Sequence, residues 1–259
     1  MKRCDITKPI GLDTLCAEVE STCSKAHIYK RCGLRPQHLI VPLDPGCGRT
    51  TFMEYMTDQY KKAGALEFTS GLDDYIEVTF DGTLPQLKRV FAAIDSAAVY
   101  TNEYCNIIGM DISGIAAHLG ETQLAEFMKN CKRVCDHACV VFFVHAVPNR
   151  NEEKLLEKLC ETVGSVKRLT VEPYTKDDIC ALIIKAVLDH GIEIRHEAAF
   201  QSELSDMVSA CCISDVREAI AAADTIVQFA DFSGFTPVVD ETSLKSVTAI
   251  RHNQANIMM

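Results

Sequence analysis

The chain has 259 residues, 47% of them hydrophobic and 24% charged, with 13 glycines and 8 prolines. This fits a globular protein of one large domain or a larger plus a smaller one, and excludes wholesale disorder and collagen-like structure. The formal net charge of −10 repels polyphosphate at long range, so nucleic acid is not the default partner.

Thirteen cysteines make up an odd set, and no apolar stretch follows Lys2-Arg3 to suggest a secretory signal, so reduced and mostly buried thiols are expected. No apolar run approaches the roughly 18 residues of a membrane helix. The expectation is a cytoplasmic protein with no membrane partner.

Residues 1–36 read as a polar, weakly periodic N-terminal arm with one helix over residues 12–24. From Gln37 the pattern changes: Leu39-Ile40-Val41 is a short apolar run, a buried strand, ending in the turn-rich stretch that starts at Asp44. Phe52, Met53, Met56 and Tyr60 then recur at helical spacing, and Gly64 follows as a stop. Strands are predicted at residues 66–68 and 75–80, a helix over 84–98, and a buried strand over 104–110 ending at Asp111. An amphipathic helix over 119–135 leads to a strand at 139–144, and a helix over 151–163 leads to a strand at 166–171.

Strands alternating with helices of this length point to a parallel sheet covered on both faces. After Pro173 the strands stop, and helices are expected over 176–190, 196–211, 214–230 and 241–253. The predicted layout is an arm (1–36), an α/β core (37–173) and a helical domain with a C-terminal helix (174–259).

The segment Leu43-Asp44-Pro45-Gly46-Cys47-Gly48-Arg49-Thr50-Thr51 lies between a predicted strand and a predicted helix. A phosphate-binding loop needs that context, with glycines that let successive N–H groups line a concavity, a helix N-terminus, a cation and a hydroxyl for Mg2+. Gly46 and Gly48 supply the turn, Arg49 the cation and Thr50 the hydroxyl. Leu43 stands where the usual pattern has its first glycine, and Arg49 where it has lysine, a swap of a compact charge for a broad planar one.

In the order and spacing of these segments, over about residues 30–230, the chain resembles the AAA+ ATPases, P-loop NTPases whose loop commonly reads G-P-P-G-T-G-K-T-T. The resemblance implies a parallel five-stranded sheet flanked by helices, followed by a small α-helical lid. It also implies that residues 44–51 bind ATP or ADP and that Thr50 and Asp111 hold Mg2+. The family's Asp-Glu motif here reads Asp111-Ile112, and an aliphatic side chain cannot activate water; lost general-base assistance costs about 10²–10⁴ in rate.

The same resemblance points to His145 as the polar residue ending the next strand, to Arg217 in Ser214-Asp215-Val216-Arg217 as the lid arginine with Ser214 as N-cap, and to Arg168 as a finger reaching a neighbouring subunit. A homo- or hetero-oligomer with protein partners is implied. Two functions fit: a nucleotide-binding protein with weak or partner-dependent ATP hydrolysis that acts by nucleotide-linked assembly or conformational change, or an inactive pseudo-ATPase scaffold or regulatory subunit. DNA remodelling rests on analogy and is opposed by the net charge. Cys131, Cys135, His137 and Cys139 are soft ligands, but not at a recognised zinc spacing.

Overall fold

In the computed structural model the residues described are 6–66, 68, 74–80, 88–89, 91–92, 107–115 and 120–257, with backbone alone for 137 and 250–257. The predicted strand at 66–68 falls partly outside these residues and the predicted helix at 84–98 mostly so. The described chain divides into two units, residues 1–171 and 172–259.

The first unit is built on β1 (His38–Pro42), β2 (Tyr75–Thr79), β3 (Ile107–Asp111), β4 (Cys139–Val144) and β5 (Val166–Arg168), paired in parallel in the order β2-β3-β4-β1-β5. Composition explains the order. β1, β3 and β4 are buried at every position, as near-continuous apolar runs must be when helices cover both faces of a sheet. The mixed sequences Tyr-Ile-Glu-Val-Thr and Val-Lys-Arg take the two edges, where polar side chains reach water.

Helices α1 (Asp13–Ser24), α2 (Ala26–Cys32), α3 (Arg49–Ala63), α4 (Glu121–His137) and α5 (Arg150–Val163) accompany this sheet. α3 buries Phe52, Met53, Met56 and Tyr60 completely and ends at Gly64, whose left-handed φ of 66° suits glycine. A Cβ built on Gly109 of β3 would lie 3.2 Å from Met53 Cε and 3.3 Å from the Phe143 ring, so a side chain there requires Met53 and Phe143 to give by a few tenths of an ångström. On β3 and β4, Ile108, Met110, Val140 and Phe142 join the core that Phe127 of α4 and Leu155 of α5 share. The rings of Phe80, Phe91 and Phe127 meet there at 5.6–6.0 Å.

The residues that read as an arm are part of this unit. α1 packs on α3 with Leu15, Cys16 and Val19 fully buried, Tyr55 donates to Glu20 (3.1 Å), and Lys167 of β5 pairs with Glu18 (2.5 Å). The weak periodicity of the segment reflects this partial burial. α2, with its mixed sequence Ala-His-Ile-Tyr-Lys-Arg-Cys, carries no periodic signal.

The second unit contains α6 (Lys176–Asp189), α7 (Glu197–Ala210), α8 (Val216–Val227) and α9 (Glu241–Ile257). Thr175 and Asp178 cap the start of α6 reciprocally. Ala219, Ala222 and Ala223 on α8 are fully buried, and these small side chains let α6 pack against it. Two short strands, β6 (Glu193–Ile194) and β7 (Val238–Val239), pair in parallel, where sequence predicted helices alone. Two residues are too few to show alternation. No described helix is long and apolar enough to cross a membrane.

Candidate functional site

The register of the sheet decides which loops meet. Pro42 lies opposite Val144, and Asp111 opposite Phe143. Leu43 N donates to Val144 O (3.0 Å) and Ile112 N to Phe143 O (2.9 Å), extending the ladder one residue beyond β1 and β3. The segment 43–48, the pair Asp111-Ile112 and His145 therefore emerge side by side at the carboxyl ends of three central strands, the usual ligand position in an open α/β sheet.

Leu43 is buried at the end of the ladder. Past it the chain turns, with Cys47 N donating to Asp44 O (3.1 Å) and Asp44 Oδ1 accepting from Ala146 N (3.3 Å). Gly46 and Gly48 have φ of 84° and 86°, a left-handed geometry that costs other residues about 1–2 kcal/mol. Gly48 is the N-cap of the 15-residue α3 and makes no side-chain cap, so the helix start and its positive potential face the loop. Pro45, Gly46, Thr50 and Thr51 are exposed.

Arg49, the first residue of α3, does not reach out toward solvent. Its side chain is 8% exposed. Nε donates to Leu43 O (2.5 Å), Nη1 pairs with Asp111 Oδ2 (2.5 Å), and Cζ lies 5.1 Å from the centre of the Phe143 ring. Nη2 is buried with no hydrogen-bond partner among the described residues. The other oxygen of Asp111, Oδ1, accepts from Ser113 N (3.1 Å) and Ser113 Oγ (2.6 Å). Both carboxylate oxygens are thus engaged by protein donors. Thr50 Oγ1 donates to Glu77 Oε2 on β2 (3.2 Å).

No protein-family model matches the sequence, and no curated protein matches it. Solved structures do match. A RuvB variant from Thermotoga maritima superposes with a TM-score of 0.60 at 14% identity, covering 93% of this chain and 70% of that one. The Thermotoga maritima RuvB Holliday junction branch migration motor gives 0.58 at 14% identity, over 90% and 68%. PCH-2 of C. elegans gives 0.56 at 9% identity, over 96% and 72%. All are AAA+ proteins.

This chain has the AAA+ P-loop NTPase fold.

The AAA+ fold brings expectations of nucleotide and Mg2+, and the geometry separates the two. A strand-to-helix loop with two left-handed glycines, an open helix start and a buried donor lacking an acceptor fits a phosphate group. The donor set for Mg2+ fits poorly. Thr50 and Asp111 offer the hard oxygen atoms Mg2+ prefers, but the Asp111 oxygens are held by Arg49 and Ser113. Ile112, the residue after Asp111, is fully buried in the core.

His145 follows β4 and its side chain is 45% exposed, with Nδ1 2.5 Å from Glu152 Oε1. Glu152 is 1% exposed, and its Oε2 accepts from Asn149 N (2.9 Å). An ionised carboxylate only accepts, so Nδ1 is the donor in this contact. The sequence reading missed Glu152; its signal was the capping box Asn149-x-x-Glu152 at the start of α5. Glu77 was also missed, and nothing local marks it.

Arg168 on edge strand β5 makes a two-pronged pair with Glu153, Nη1 to Oε2 and Nη2 to Oε1, both 2.8 Å. The mutual bonds lower the Glu153 pKa and raise that of Arg168. In the second unit, Arg217 lies in the first turn of α8, but the N-cap is Asp215 rather than Ser214. The Asp215 side chain accepts from Glu218 N (2.8 Å), and Ser214 N instead donates to Glu218 Oε2.

Among the described residues no group of three or more His, Cys, Asp or Glu side chains is placed to hold a metal ion. Cys131, Cys135 and Cys139 lie in the interior, where burial raises their thiol pKa values, that of Cys139 to about 12. They pack as small hydrophobes.

Proposed function

We propose that this chain is an AAA+ module that holds a nucleotide in the 44–51 loop without hydrolysing it, acting as a scaffold or regulatory subunit toward protein partners. The observation that carries the reading is the buried Arg49–Asp111 ion pair, which commits the carboxylate expected to orient Mg2+ and its water shell. Ile112 adds to it, since a fully buried aliphatic side chain supplies no base to the attacking water. This favours the pseudo-ATPase alternative over weak or partner-dependent turnover. Holliday-junction branch migration, the activity named for RuvB, is not carried over to a chain with net charge −10.

The test is phosphate release from ATP in the presence of Mg2+, by wild type and Gly48→Asp side by side. Equal, background-level release is expected. Release by wild type that Gly48→Asp abolishes refutes the non-hydrolysing reading. Light scattering with and without ADP reads whether the chain forms assemblies.

A further inference from the structure

We infer that the Arg49 guanidinium occupies the position a divalent cation would take, so that nucleoside di- and triphosphates bind this loop without help from Mg2+. The inference rests on the nucleotide-holding reading above and adds to it the ionic form of the ligand.

Three features converge on it. The first is the commitment of Asp111. A metal entering at Oδ2 has to displace a guanidinium that is 8% exposed, leaving a buried cation unpaired. Mg2+ also gives up its waters reluctantly and demands octahedral geometry, whereas Asp111 is flanked by the fully buried Ile112 and, in strand register, by Phe143.

The second is Nη2. Nε and Nη1 of Arg49 have acceptors in Leu43 O and Asp111, but Nη2 is buried without one among the described residues, an uncommon state for a polar atom in a folded interior. A phosphate oxygen is the acceptor that suits a guanidinium edge best. The third is the loop itself. Gly46 and Gly48 are in left-handed geometry ahead of α3, whose uncapped start supplies positive potential that needs no metal.

The experiment is calorimetric titration of the chain with ATP and with ADP, once with Mg2+ and once with EDTA. The expected result is binding in EDTA as tight as in Mg2+, within about twofold, or tighter. Strengthening by Mg2+ of about tenfold or more overturns the inference. If Glu77→Gln then removes that strengthening, the metal sits at Thr50 and Glu77 instead. Absence of nucleotide binding in both conditions overturns it too.

Arg49→Lys provides the gain-of-function arm. The compact ammonium frees an oxygen of Asp111, and binding is expected to become Mg2+-dependent; continued indifference to Mg2+ means the guanidinium is not the cause. Turnover is read separately. Mg2+-dependent binding without hydrolysis removes this inference alone, whereas hydrolysis by wild type removes the reading beneath it.

Discussion

Removing the charge of Asp111 should destabilise the first unit more than a surface carboxylate could. Asp111→Asn keeps an oxygen for the two Ser113 bonds but leaves the Arg49 guanidinium facing a neutral group. The two side chains are 8% and 12% exposed, so water does little to replace the lost partner. Breaking a buried pair on one side typically costs about 3–5 kcal/mol. The retained bonds to Leu43 O and Ser113 put the expected loss near 3 kcal/mol.

Arg49→Met/Asp111→Leu removes both charges, and such replacements are often neutral or stabilising, so the double variant should lie within about 1 kcal/mol of wild type. Urea unfolding followed by far-ultraviolet circular dichroism reads this directly. With a slope of about 2 kcal/mol per molar, Asp111→Asn lowers the midpoint by about 1.5 M and the double variant restores it. If Asp111→Asn loses less than about 1 kcal/mol, or the double variant is worse than the single one, the pair does not bear on stability as described.

The first unit should also lose stability in mild acid through His38. Burial and the nearby Arg35 lower its pKa from 6.5 to about 4, while Nδ1 accepts from Val140 N (3.2 Å). Between those values the unfolded chain takes up a proton that the folded chain refuses. Stability is therefore full above pH 6.5 and falls by about 3 kcal/mol as pH drops to 4. His38→Asn keeps an acceptor and abolishes the titration, so a pH profile no flatter than wild type contradicts the assignment. At Gly109, valine forces Met53 and Phe143 apart, with an expected cost of about 1–3 kcal/mol in the same unfolding assay. A neutral Gly109→Val shows that α3 yields there.

What was legible in the sequence follows from how local each determinant is. Leu39-Ile40-Val41 and the run from Cys139 to Val144 announce central parallel strands because burial on both faces removes alternation. Gly46 and Gly48 mark the loop because its backbone needs left-handed residues. Arg49 could be placed at the helix start, yet its direction depends on Asp111, sixty-two positions away, and on the Phe143 ring beneath it. A charge in a motif gives a position but not a partner. Glu77 reaches Thr50 only through the pairing of β2 with β3, and Asp215 displaced Ser214 as cap because either side chain suits that place.

The bond from Arg49 Nε to Leu43 O closes the loop on itself, and Asp44 fastens the same stretch to the end of β4. A loop stitched at both ends arrives already shaped, so a ligand gains affinity from groups that need no ordering. The same stitching makes the loop a poor messenger. A segment with little slack to take up has little to release.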